Sequence, residues 1–263
     1  MQQMRLFFLT VEEPFYLPDF FAMVLNEVNA ETVGAAIVKH LYKKESNLSV
    51  LRKIISSFGV NNAIKLSYKF YFLKILDRIY NITKVKKYHS VKRIFKSYCI
   101  PYFEPEDIND SKILPKIKSL APDLIIAISL PQVITNKLLD IPTLGVINLH
   151  MSLLPEYRGI MSIFWMLLNG DKVGGVTCHF VNEKIDAGEI IAQQEFNFGE
   201  SDSLDALIRK SKKIGAEVIL EVIEKFRMGT IETQINDPNK GEYYGFPTKE
   251  DVKIFLEKGL KLR

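Results

Sequence analysis

Cysteine is scarce: Cys99 and Cys178 are the only two in 263 residues. That is too few for a disulfide framework, and nothing in the spacing of histidine and cysteine resembles a zinc-ligand cluster. No apolar run approaches the roughly 20 residues that a membrane-spanning helix needs. Met1-Gln2-Gln3-Met4-Arg5 does not read as a signal peptide, because a strand-like run and then Glu12-Glu13 follow at once. Together these absences lead to the expectation of a reducing cytoplasm. The turn after the first strand-like run has no Gly-x-Gly-x-x-Gly, which disfavours a nicotinamide dinucleotide. Excess charge is small, +4 with a pI near 8.8, so the chain as a whole is not a strong polyanion binder. Internal repeats and low-complexity segments are missing too.

What is present fits one large α/β domain, or a domain with a small appendage. At 47% hydrophobic and 25% charged, the chain has ample material for a core. Residues 5–10 read as a buried first strand and 32–38 as a second, with a helix over 14–28 between them. Pro14 falls near the first turn of that helix, and Phe15, Phe20, Phe21, Val24 and Leu25 give it an apolar face. Strand, helix, strand is the opening of a doubly wound, mostly parallel sheet. Further strands are expected over 100–103, 123–129 and 145–150, and a pair over 175–180 and 190–196. Asp110-Ser111 is expected to cap a helix to Leu120, and Pro131 to begin another. Ser201-Asp202-Ser203 should cap a long helix to about Arg227; residues 231–234 read as one more strand. Thr248 with Asp251 resembles a capping box for a last helix. The expected division is a core over 1–200, with the helix and tail of 201–263 packed on it.

Residues 39–96 stand apart. They hold fifteen basic residues, among them Lys43, Lys44, Arg52, Lys53, Lys84, Lys86, Lys87, Lys92 and Arg93, against two acids, Glu45 and Asp77. Ile64, Tyr68, Phe72, Ile75, Leu76 and Ile79 recur at three and four, so a helical excursion between strands two and three is expected. Its plain reading is a cationic surface whose apolar stripe packs on the main sheet. The sharper one is a surface for a phosphorylated substrate, RNA or the face of an anionic membrane.

Gly145-Val146-Ile147-Asn148-Leu149-His150 is an apolar strand that ends in two polar side chains on one face. Ligands of open α/β sheets bind beyond the carboxyl ends of strands, so Asn148 and His150 can act together on one carbonyl. From spacing alone, a strand-ending Asn and a satisfied turn His are an equal alternative. Asp186, ahead of Ala187-Gly188, is either a carboxylate near His150 or a turn former. Arg158 can meet a phosphate or tie down its own loop.

Asn148-x-His150-x-Ser152-Leu153-Leu154-Pro155-x-Tyr157-Arg158-Gly159, followed by Asp186-Ala187-Gly188-Glu189-Ile190-Ile191, resembles the signature of the formyltransferases that use 10-formyltetrahydrofolate. The resemblance is clearest over 122–198, with Met151 where several relatives have proline and Glu156 where a basic residue is common. It implies a sheet of the formyltransferase type, 10-formyltetrahydrofolate as co-substrate, no metal, and Asn148, His150 and Asp186 as the catalytic trio. It also implies a folate pocket along 130–134 and 182–186, with Leu130, Gln132, Val133, Ile134, Asn182 and Ile185 as contacts. Ser152, Tyr157 and Arg158 are the candidates to meet the acceptor. The tail Tyr243-Tyr244-Gly245-Phe246-Pro247-Thr248-Lys249-Glu250-Asp251 is similar to the ending of sugar N-formyltransferases and of formyltransferase-like proteins of surface-polysaccharide pathways, which points to a primary amine on a nucleotide-linked sugar. About sixty-five residues follow Phe198, too few for the RNA-binding barrel of methionyl-tRNA formyltransferases, so nucleic acid is disfavoured. Glycinamide ribonucleotide transfer, formyltetrahydrofolate hydrolysis and a non-catalytic folate-binding or membrane-peripheral protein are the alternatives. A homodimer is an expectation of the resemblance alone.

Overall fold

A computed structural model describes residues 3–38 and 47–263. Lys43, Lys44 and Glu45 of the basic excursion, like Met1 and Gln2, lie outside the described residues. The sheet opens with β1 (Arg5–Val11), β2 (Glu31–Val38) and β3 (Tyr102–Phe103), and continues with β4 (Leu124–Ile128) and β5 (Val146–His150). Its last strands are β7 (Val173–Phe180) and β8 (Ile190–Asn197), while β6 (Arg158–Gly159) and β9 (Tyr243–Tyr244) form a separate two-stranded ribbon. The seven-stranded order is β3-β2-β1-β4-β5-β7-β8. All pairs from β3 to β5 are parallel, and β5·β7 and β7·β8 are antiparallel. The order reverses at β1/β4, the topological switch at which such sheets bind ligands. Buried runs such as Leu6–Leu9 and Leu124–Ile128 lack an alternating polar face because helices cover both sides of the parallel part.

Helix α1 (Leu17–Glu27) starts later than the sequence suggests. Pro18, rather than Pro14, sits in its first turn, and the carboxylate of Glu13 accepts the backbone N–H groups of Phe15, Tyr16 and Leu17. An internal carboxyl group, its pKa raised by burial against the pull of these N–H groups, thus fills the place after β1 where a doubly wound fold with a glycine-rich turn holds phosphate. α2 (Asn47–Ile82), broken at Gly59 (φ 79°), and α3 (Val91–Ser97) form the excursion between β2 and β3. α4 (Leu114–Ser119), with Pro115 in its first turn, begins beyond Asp110, whose carboxylate instead accepts Lys112 N–H in the preceding turn. Residues 131–134 are not helical: α5 (Asn136–Leu139) is a single turn, and the stretch before it runs along the site.

α6 (Ser162–Asn169) follows the signature loop, and α7 (Leu204–Met228) crosses the sheet. Ser203 caps α7 through Ala206 N–H, and Leu207, Val218, Ile219 and Val222 bury its apolar side in the same core as β1 and β4. Residues 231–234 give a single antiparallel bridge, Gln234 to Ile190, where a strand was expected. The Thr248–Asp251 capping box opens α8 (Lys249–Glu257), whose Phe255 stacks on Phe164 at 4.8 Å.

Candidate active site

β5 carries Asn148 and His150 to the sheet's carboxyl end, and antiparallel β7 places His179 directly opposite Asn148. Asp186 reaches them from the β7–β8 connection, with a left-handed backbone (φ 49°). Its carboxylate lies between the two rings, Oδ2 3.6 Å from His150 Nδ1 and Oδ1 3.7 Å from His179 Nε2. Two backbone anchors hold that position. Gly159 N–H donates to Asp186 Oδ2 at 2.8 Å, and Asn236 Nδ2 donates to the carbonyls of Asp186 and Gly188, both at 3.0 Å. Gly159 (φ 99°) is required on two grounds: its backbone is left-handed, and a Cβ would meet the Tyr244 carbonyl at 2.2 Å. The β6–β9 ribbon therefore fixes the N–H that orients the carboxylate.

Carbonyls assign the tautomers, since they only accept. His179 Nδ1 is 2.7 Å from the Phe180 carbonyl and so carries hydrogen, which leaves Nε2 to accept from Asn148 Nδ2 at 3.1 Å. Burial pushes the His179 pKa down to about 4 from an ordinary 6.5, against the pull of Asp186, so this ring is neutral. One Asn148 N–H is thereby committed to His179, and the other is free to donate to a ligand. His150 Nε2 lies 2.8 Å from the Tyr157 carbonyl and donates to it. Its Nδ1 holds the lone pair of the neutral ring, facing Asp186, and a proton taken there gains a carboxylate neighbour.

The low His179 pKa makes stability depend on pH. Between about 6.5 and about 4 the unfolded chain binds a proton that the folded one refuses, so stability falls as pH drops through this window. We expect urea midpoints of wild type and His179→Gln to converge as pH falls across it; parallel curves would mean the histidine is not held neutral.

A cavity of about 600 Å³ opens beside the trio, within the range that encloses a drug-sized ligand. Leu130, Gln132, Val133, Ile134, Asn182 and Ile185 all line it, as do Asn148, His150 and Asp186. The Gln132 side chain itself turns away, bonded to Ile108 N–H and the Glu106 carbonyl. Ser152, Tyr157 and Arg158, the expected acceptor contacts, do not line the cavity. Ser152 is fully buried and donates to the Glu156 carbonyl; Arg158 donates to the Pro238 and Gly241 carbonyls; the Tyr157 ring stacks on Tyr244 at 5.2 Å. Ser152 thus ties the signature loop to itself, while Tyr157 and Arg158 bind it to the tail. Tyr243 and Phe246, of the tail singled out in the sequence, do line the cavity, and so do His179, Met161 and Lys212, which the sequence reading passed over. Lys212 is buried, donates to Ser129 Oγ at 2.7 Å, and is lowered to about 8 by burial, with Glu13 opposing.

An amide donor, an imidazole with a free lone pair and a carboxylate beside it, at the mouth of an apolar cavity, define a group-transfer site. It can support an oxyanion and move a proton. The chain belongs to the formyl transferase family, whose model matches residues 73–223. A methionyl-tRNA formyltransferase of Thermodesulfovibrio yellowstonii is 37% identical over 166 residues, 62% of this chain and 53% of that protein. The chain thus spans about half the length of the curated relatives it matches. Glycinamide ribonucleotide transformylase 1 from Geobacillus kaustophilus shares the fold, with TM-score 0.59 at 17% identity over 86% of this chain and 99% of that one. The formyltransferase PseJ from Anoxybacillus kamchatkensis, solved with UDP-4,6-dideoxy-4-formamido-L-AltNAc and tetrahydrofolate, aligns at TM-score 0.50 and 25% identity. That alignment covers 64% of this chain and 84% of PseJ.

Proposed function

We propose that the protein transfers a formyl group from 10-formyltetrahydrofolate to a primary amine, and that the acceptor is a nucleotide-linked amino sugar. The observation that carries the reaction is the convergence of Asn148, His150 and Asp186 on one cavity wall. The cavity suits the donor: Leu130, Val133, Ile134 and Ile185 offer an apolar slot for a flat heterocycle, beside backbone of 130–134 and 182–186 that can bond its edge.

In this reading the free Asn148 N–H donates to the formyl oxygen as negative charge develops there. Hydrogen bonds of this kind act strongly because they are already aligned in a site shielded from water. His150 Nδ1 takes the proton that the attacking amine must lose, and Asp186 stabilises the imidazolium that results. The same ring can then return a proton to the departing folate nitrogen. His179 serves as a positioning residue, holding the Asn148 amide by accepting its other hydrogen.

Support for a sugar acceptor comes from the tail. Tyr243 and Phe246 reach the cavity rim, and flat rings there suit a base or a pyranose face. The sequence similarity to methionyl-tRNA formyltransferases favours a second acceptor, methionyl-tRNA. Formylated product would be measured with nucleotide-linked 3-amino and 4-amino sugars, glycinamide ribonucleotide and methionyl-tRNA, each with 10-formyltetrahydrofolate. Product with an amino sugar, reduced about tenfold in kcat/KM by Phe246→Ala through lost stacking, is expected. Product with methionyl-tRNA alone would overturn the sugar reading.

A further inference from the structure

The apolar stripe of α2 faces solvent, not the sheet. At about 100° per residue, Val60, Ile64, Tyr68, Tyr71, Phe72, Ile75, Ile79 and Ile82 fall within an arc of about 120°. All are exposed, Tyr68 at 73% and Ile64 at 61%. This is not a helix swung away from its seat, because the opposite side is fastened along its length. Phe58 packs edge-on against Phe164 and Phe246, and Ala63 is buried. Phe70 meets Phe15, and Lys69 pairs with Asp205 at 3.4 Å. Asp77 holds Arg93 at 2.8 Å and the His89 N–H at 2.7 Å. The helix is apolar on two sides, and the body uses only one of them.

Charge says what covers the other. Lys65 borders the exposed arc on one flank, and Lys74 and Arg78 on the other; Lys84, Lys86 and Lys87 follow beyond its end, all exposed. None of these six has an ion pair with an acid among the described residues. Asp77, the one acid of α2, is turned inward onto Arg93. A second copy would bring the same stripe and the same basic flanks against its own, with no acid on that face to pair them. An anionic lipid surface complements both features at once: the stripe enters the acyl boundary, Tyr68 and Tyr71 sit at headgroup depth, and the basic flanks meet phosphate. No helix among the described residues is long and apolar enough to cross a membrane, so the contact is peripheral.

We propose that α2, from Val60 to Ile82, is an interfacial helix that docks the protein on an anionic membrane. Sedimentation of the full chain with vesicles of phosphatidylcholine, and of equimolar phosphatidylcholine and phosphatidylglycerol, tests this. The protein is expected to pellet with the anionic vesicles and to stay in solution with the neutral ones. Ile64→Glu/Ile75→Glu and Lys65→Glu/Lys74→Glu/Arg78→Glu should each lower the lipid partition coefficient about tenfold or more, with the far-ultraviolet circular dichroism of wild type. Wild type left in the supernatant of both vesicles overturns the proposal. So does a dimer, seen by sedimentation equilibrium without lipid, that Ile64→Glu/Ile75→Glu dissociates, since the face then belongs to a second copy.

Discussion

Replacing Asp186 by asparagine is expected to lower kcat about a thousandfold while leaving the fold and folate binding nearly intact. The substitution keeps side-chain size, and an amide oxygen can still accept the Gly159 N–H. It removes the negative charge that lies 3.6 Å from His150 Nδ1 and 3.7 Å from His179 Nε2. Without that charge, a proton taken by His150 has no carboxylate to stabilise it, and the cost falls on the step that strips the amine. Single-turnover kinetics with saturating donor and acceptor, beside a thermal melt and a folate titration, check this. A loss under tenfold in kcat with unchanged binding would remove Asp186 from the proton-transfer machinery and leave it as a turn former.

Gly188→Ala is expected to damage stability and activity together. A Cβ at this position would lie 1.8 Å from the Phe180 carbonyl oxygen and 2.7 Å from its carbon. Those are backbone atoms at the end of β7, fixed by Phe180 N–H to Glu189 O, and cannot swing aside as a flexible side chain would. The β7–β8 connection must therefore move, and Asp186 with it. Unfolding free energy should fall by about 3 kcal/mol or more, and a displacement near 1 Å at Asp186 should cost about a hundredfold in kcat. Gly245→Ala is the control, because a Cβ there meets nothing within 4 Å. Urea midpoints of the two variants should separate clearly; if they coincide, the turn tolerates a side chain and the tight packing behind Asp186 is not required.

Much of the sheet could be read from sequence because buried parallel strands are short unbroken apolar runs. Residues 5–10, 32–38 and 123–129 correspond to β1, β2 and β4 within two residues at each end. Helix ends with a side-chain signal, Ser203 and the Thr248–Asp251 box, were equally visible. Starts that lack an ordinary capping residue, or that depend on distant partners, were not. α1 begins where Glu13 gathers three N–H groups, and β6 with β9 are two-residue pieces whose partners lie 85 positions apart. Periodicity revealed α2 but not its orientation: both Leu73 and Ile75 belong to apolar stripes, and only the fold shows which one the body covers.

In the site, Asn148 and His150 stood out as polar groups at a strand end, with an equal bland alternative, and it was the resemblance to the formyltransferase signature that joined Asp186 to them. His179 was missed because one histidine inside a buried strand reads as core; its signal was β7 pairing with β5 in antiparallel register. Ser152, Tyr157 and Arg158 were singled out for their chemistry, yet sequence proximity to His150 says nothing about direction. The side chains of Tyr157 and Arg158 turn toward residues 238–244, far along the chain, and that of Ser152 turns into its own loop.

The most direct test of the account is the ratio of tetrahydrofolate released to amine formylated, measured with 10-formyltetrahydrofolate in the presence and absence of acceptor. Equal amounts of both products are expected with an amine, almost no release without one, and loss of both in Asp186→Asn. Release that proceeds equally well in water alone would make the protein a hydrolase and contradict the assignment of His150 and Asp186 to deprotonating an amine.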